Sequence, residues 1–166
     1  MELYNPVIRN NYLRNSSTST SSSYSYVLKE ISGGIIQNNI LLANVKERVL
    51  LNVSNSTVQN NVMSCPSTTY ASSYPDNVCL DMANGDAESK VFAKTGNDMN
   101  YYRLADESPA KGAGIDGADC GPFAGAYPYA VYGYPYGMPY FTGSEIGVRA
   151  VDGKVSVKQT VVIQND

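Results

Sequence analysis

The 166-residue chain contains no histidine and no tryptophan. Without histidine there is no Ser-His-Asp triad, no Cys-His dyad and no imidazole metal ligand. Without tryptophan the commonest sugar-stacking ring is missing, although 14 tyrosines can take its place. Charge is also scarce: only 16% of residues are Asp, Glu, Lys or Arg, and the net charge is -3. No basic cluster is present, which argues against a nucleic-acid partner. No apolar run approaches the roughly 18 residues that a membrane span needs. Met1 to Asn5 carry neither the basic nor the apolar region of a signal peptide, so the chain is expected to be a mature or partial piece. Cys65, Cys79 and Cys120 cannot all pair within one chain. Cys65 and Cys79 are near enough to close a loop, but the simpler expectation is three small buried thiols.

What fills the sequence instead is Ser, Thr, Asn, Gly and Tyr around 43% apolar residues, a globular composition with a polar, weakly charged surface. The chain repeats itself. Residues 26–41, YVLKEISGGIIQNNIL, align with residues 48–63, RVLLNVSNSTVQNNVM, at a shift of 22. Val27 falls on Val49, Leu28 on Leu50, Ile31 on Val53 and Ile36 on Val58, and Asn38-Asn39 on Asn60-Asn61. An earlier copy, PVIRNNYL, places Asn10-Asn11 on Asn38-Asn39 at a shift of 28, and the Ser/Thr run 16–23 supplies its longer loop. Each copy holds short β-branched stretches broken by Ser, Gly or Asn. The spacing lacks a helical period, and Asn tolerates the left-handed corner that such breaks need. Stacked asparagines at Asn10, Asn11, Asn38, Asn39, Asn60 and Asn61 can hydrogen-bond along the stack and satisfy polar groups at a buried corner. The expected fold is all-β, a right-handed parallel β-helix of few rungs.

Beyond Ser64 the period fades. Residues 65–77 read as a loop, Val78-Cys79-Leu80 as a strand and residues 83–90 as a polar excursion, with Val91-Phe92 and residues 101–104 as further strands and no helix anywhere. Residues 146–163 alternate around Asp152-Gly153, a dipeptide favoured in type I′ hairpin turns. The expected organisation is rungs and a closing segment over 1–125, an irregular Tyr/Pro/Gly-rich tail over 126–145 and a β-hairpin or small β module over 146–166.

Residues 101–123, YYRLADESPAKGAGIDGADCGPF, carry a resemblance. Tyr102, Arg103, Leu104, Ser108, Pro109, Ala110, Ala113 and Gly114, followed by Asp119 and Gly121, resemble the closing segment of secreted parallel β-helix proteins of the pectate-lyase-like superfamily, Bacteroidetes type. The resemblance extends over roughly residues 1 to 140, the Tyr/Pro stretch included. It implies an extracellular or cell-surface protein. It does not specify an activity, because that superfamily mixes polysaccharide lyases, glycoside hydrolases, adhesins and surface proteins. Physically, Pro109 withholds a backbone donor and ends a strand. Ala110, Ala113 and Gly114 are small enough for the chain to cross close over the final rung.

Candidate chemistry is thin. The outward charged residues Arg9, Lys29, Glu30, Lys46, Glu47 and Arg48 form no recurring column and read as a solvated face. Asp116 and Asp119 read as turn residues. Asp81, Asp86 and Glu88, with Asn84, offer oxygen ligands at short spacing and a weak case for calcium. Tyr127, Tyr129, Tyr132, Tyr134, Tyr136 and Tyr140 can stack on sugar rings or clamp the Pro-rich tail onto the coil, the clamp being favoured. The expectation is a non-catalytic structural or binding region that contacts polysaccharide. The alternatives are the C-terminal piece of a lyase or glycosidase with its catalytic rungs upstream, and an adhesin or fibre module. The first coil is expected to be covered by upstream rungs or another chain.

Overall fold

A computed structural model describes residues 3–18, 26–44, 49–65, 72–81, 87–93, 102–125, 128–129, 139–146, 152, 154 and 156–163. The protein is all-β apart from short helical turns. It forms two compact units, Met1–Tyr127 and Pro128–Asp166.

In the first unit each sequence copy contributes three short strands. The first copy gives β1 (Leu3–Tyr4), β2 (Val7–Arg9) and β3 (Tyr12–Asn15). The second gives β4 (Leu28–Ser32), β5 (Ile35–Gln37) and β6 (Ile40–Ala43), and the third β7 (Leu50–Ser54), β8 (Thr57–Gln59) and β9 (Val62–Cys65). Like strands pair in parallel, giving sheets β1-β4-β7, β2-β5-β8 and β3-β6-β9-β10, where β10 is Val78–Asp81. The sequence alignment is the physical register: Ile8 lies opposite Ile36, Ile36 opposite Val58 and Leu28 opposite Leu50.

Strands this short require sharp corners, and the corners are left-handed. Asn5, Gly33 and Asn55 turn the chain between the first and second strands at φ of 51°, 72° and 50°. Asn10, Asn38 and Asn60 make the next corner at φ of 56°, 57° and 54°. Asn is among the few non-glycine residues that accept this region at low cost.

Two cores result. Ile31, Ile36, Leu41, Val49, Leu50 and Met63 are buried in one cluster that takes side chains from all three parallel sheets. The second cluster lies on the other face of the β3-β6-β9-β10 sheet, where Ile40, Leu42 and Val62 are covered by Val91, Phe92, Ala110 and Cys120. All four residues of β6 and of β9 are buried, as expected for strands covered on both faces.

Several expectations need correction. Cys65 and Cys79 form a disulfide and only Cys120 is a free, buried thiol, so the chain does not hold three thiols. The reason is register. Cys79 lies opposite Met63, two residues before Cys65, so the two sulfurs share a face of adjacent strands. A short helix, α1 (Ala87–Val91), stands where no helix was expected and absorbs Val91, while Phe92 makes an antiparallel bridge to Leu104. The closing segment, where described, packs on the side of the copies. It lies against the apolar outer face of the β3-β6-β9-β10 sheet, which would otherwise be exposed to water.

The second unit holds β11 (Pro139–Ile146) and β12 (Val157–Ile163), paired antiparallel. The ribbon therefore starts seven residues earlier than the expected boundary at 146, and residues 139–145 belong to a strand, not to the tail. Asp152 adopts φ 51° within the connection, and Gly153 lies outside the described residues.

Candidate functional site

The asparagines following the left-handed corners form a ladder. Asn39 Oδ1 accepts from the backbone N–H of Asn11 at 3.0 Å and from its Nδ2 at 3.1 Å. Asn61 Oδ1 accepts from Asn39 N at 3.0 Å and Nδ2 at 2.9 Å. Asn77 Oδ1 accepts from Asn61 N at 3.0 Å and Nδ2 at 2.8 Å. Each amide also donates to backbone carbonyls: Asn39 to Ile8 and Gln37, Asn61 to Ile36 and Gln59, Asn77 to Val58. Asn39 and Asn61 are fully buried. Asn77 is a member that the alignment missed. Its copy is displaced by 16 residues and carries Asp76 where the others carry the first Asn.

The closing segment runs along this corner. Ile115 N donates to Asn38 Oδ1 at 3.0 Å, Gly121 N to Asn38 O at 2.9 Å, and Cys120 Sγ to Asn60 O at 3.2 Å. Gly121, at φ 103°, sits so close that a Cβ would lie 2.6 Å from Ile40 Cδ1. Ser108 Oγ accepts from Ala110 N, and Ala110 O from Cys120 N, which folds the Ser-Pro-Ala stretch back on itself. Asp119 is spent on this turn, accepting from Gly112 N at 2.8 Å, while Asp116 is exposed at a left-handed φ of 56°. Burial, then the Asp119 charge, pushes the Cys120 thiol up to about 12. It is a packing group and not a nucleophile at neutral pH.

Of the acidic candidates, Glu88 accepts from the Tyr12 hydroxyl and pairs with Arg14. The side chain of Asp81, and Asp86 and Asn84 altogether, lie outside the described residues. No group of three or more His, Cys, Asp or Glu that could hold a metal occurs among the described residues. Tyr129 is exposed in the second unit, whereas Tyr127, Tyr132, Tyr134 and Tyr136 lie outside the described residues, as do Lys46, Glu47 and Arg48. Glu30 accepts from Asn52 Nδ2 across adjacent copies at 2.9 Å.

Burial first, then the hydrogen bond to Glu88 and its charge, raises the Tyr12 ionisation far above its ordinary value of 10.0. The neutral phenol is thus favoured in the fold, so its contribution is intact below about pH 10 and is lost as pH rises beyond that. Urea midpoints should therefore fall as pH rises above about 10, and Tyr12→Phe should flatten that fall. An equal slope in the variant would place the alkaline sensitivity elsewhere.

One polar column did emerge that the search for charges overlooked. Arg9, Gln37 and Gln59 are in register on β2, β5 and β8, on the face away from Ile8, Ile36 and Val58. Beside them on that face stand Val7, Ile35 and Thr57. Gln37 is 4% exposed, yet among the described residues its Oε1 has no hydrogen-bond partner, and neither does the buried Oδ1 of neighbouring Asn10. Buried acceptors without partners are rare and costly. At its two accessible positions, Arg9 and Gln59, the column can offer a polar ligand a guanidinium and an amide beside exposed Val7. It offers no acid-base pair. The sequence signal was the repeated Gln before Asn-Asn.

No family model, curated protein or solved structure matches the chain.

Proposed function

We propose that the chain is the closed end of a right-handed parallel β-helix, a non-catalytic scaffold of a secreted or cell-surface protein that contacts polysaccharide. The observation carrying the coil is the coincidence of one strand order in three parallel sheets with an asparagine ladder through four successive copies. Stacked copies that pair only with their neighbours are the logic of a solenoid. The resemblance of residues 101–123 to closing segments of such proteins supports the same reading, and the Cys65–Cys79 disulfide is compatible with an oxidising compartment. On this reading the edge of β1, β2 and β3 is covered by further rungs or another chain.

The polysaccharide contact is assigned to the accessible members of that column, Arg9 and Gln59. Sugar hydroxyls can hydrogen-bond these two side chains, and C–H faces suit exposed Val7. Titrating the whole chain with plant, host and bacterial glycans to about 1 mM, where an affinity of about 4 kcal/mol registers, should give at least one binder. Gln59→Leu should weaken it about fivefold, as loss of one partly buried hydrogen bond implies. Absence of binding across the panel sinks the contact; binding indifferent to Gln59→Leu moves it off this face.

A further inference from the structure

The asparagine ladder has a direction. At every step the backbone N–H and Nδ2 of one copy donate to the Oδ1 of the next, from Asn11 to Asn39, Asn61 and Asn77. The ladder therefore starts on an acceptor and ends on a donor. Among the described residues Asn11 Oδ1 accepts no hydrogen bond and the backbone N–H of Asn77 donates none. The preceding corner residue follows the same rule. Asn38 N donates to Asn60 O and Asn60 N to Asp76 O, whereas Asp76 N and Asn10 O have no partner among the described residues. In the opposite sense Ile40 N donates to Asn11 O, Val62 N to Asn39 O and Val78 N to Asn61 O, which leaves Tyr12 N at one end and Asn77 O at the other.

Each unpaired group at the first corner thus has its complement at the last. The strands agree, because β3 and β10 are the two edges of one sheet. Tyr12 lies opposite Ile40, Ile40 opposite Val62 and Val62 opposite Val78, so a second β3 laid beside β10 in the same register puts Tyr12 opposite Val78 and Asn15 opposite Asp81. The cores agree as well. Ile8, Tyr12 and Leu13 are only partly buried at the first copy, as are Tyr74, Val78, Cys79 and Leu80 at the last. Like ends do not match: two first corners bring acceptor against acceptor at Asn11 Oδ1, and two last corners bring donor against donor.

We propose that copies of this chain stack head to tail, with the Asp76-Asn77 corner and β10 of one on the Asn10-Asn11 corner and β3 of the next. The proposal rests on the coil reading above and names what covers its first edge. The closing segment packs on the side of the copies, so it closes the coil laterally and leaves the groups that point along the axis unpaired. A heterologous contact along the coil axis does not close, so the product is an open chain. Four stacked strands per copy at about 4.8 Å give a repeat of about 19 Å.

Sedimentation of the whole chain from about 10 to about 500 µM should show its 17.9 kDa mass rise past twice that value without levelling. Asn15→Asp, which sets a carboxylate opposite Asp81 only across the contact, should weaken association about twofold to fivefold, and Asn15→Lys should strengthen it by a similar factor. Independently, the Asn15→Cys and Asp81→Cys variants should cross-link with each other under mild oxidation and neither with itself. Opposed strands set the two Cα atoms about 4.8 Å apart across the contact, against about 14 Å within one copy. A mass that stops at twice the monomer, equal effects of Asn15→Asp and Asn15→Lys, or self-cross-linking in preference to the mixed product overturns the proposal. So does a monomeric mass throughout. The stability of Asn61→Ala then separates the two readings: a large loss leaves the coil standing without the stacking, and no loss removes the coil too.

Discussion

Asn61→Ala is expected to cost about 3–5 kcal/mol, the sum of two or three buried polar groups left unpaired at ~1–3 kcal/mol each. The groups can be named. Asn39 N–H loses Asn61 Oδ1, and the carbonyls of Ile36 and Gln59 lose the Asn61 amide donor. Asn61 is fully buried, so water cannot repair the loss without opening the corner. Asn77→Ala at the end of the ladder removes the same chemistry from a half-buried site where solvent replaces part of it, and should cost about 1–2 kcal/mol. Asn60→Ala tests a different term, since there the side chain is secondary to the left-handed backbone, and roughly 1 kcal/mol of strain is expected. Urea denaturation of the three variants checks the order. Equal losses for Asn61→Ala and Asn77→Ala would show that burial along the ladder does not matter.

How far the sequence could be read follows from where its information is periodic. The Asn-Asn pairs set the register because in a parallel stack the residue one copy later is the physical neighbour, and Ile8, Ile36 and Val58 do stack as aligned. The fourth copy escaped because it is shortened to a shift of 16, shows one strand, β10, among the described residues, and replaces one asparagine with Asp76. Once Asp76-Asn77 is set on Asn60-Asn61, Cys79 falls on Met63 and the disulfide to Cys65 becomes geometrically natural, with Cα atoms 5.2 Å apart. The covering of the outer face was also written in the sequence. Ile40-Leu41-Leu42-Ala43 does not alternate, and an unbroken apolar strand is one buried on both sides. What covers it could not be read, because the Phe92, Tyr102 and Ala110 contacts join segments with no shared period. The buried aromatic cluster is of that kind, with Tyr12 4.8 Å from Phe92 and 5.0 Å from Tyr102. Likewise β12 was visible through its alternation, while β11 was hidden within a Tyr/Pro-rich composition that resembles a tail.

Reducing the Cys65–Cys79 disulfide is expected to lower stability by about 3 kcal/mol, from the entropy returned to an unfolded chain freed of a loop of this length. The bond spans a sequence separation of 14 and ties β9 to β10, the lone strand of the last copy. That strand is held on one edge only, and with it come Tyr74 in the inner core and Asn77 at the end of the ladder. For a chain of this size 1 kcal/mol corresponds to roughly 2–4 °C in Tm, so reductant should lower Tm by about 6–12 °C. Cys65→Ala with Cys79→Ala should reproduce the loss, and reductant should then have no further effect. Cys120→Ala is the control: its thiol is buried and in no disulfide, so it loses only packing and one weak hydrogen bond to Asn60 O, about 1–2 kcal/mol, whatever the redox state. The loss should also be local before it is global. Hydrogen exchange on the reduced chain should accelerate first at Asn77 to Asp81 and at Asn61, whose backbone N–H depends on Asn77 Oδ1, while Asn39 stays protected by Asn61. Uniform acceleration through all copies would mean that the ladder melts as one unit, and that the disulfide guards the whole stack and not merely its last step.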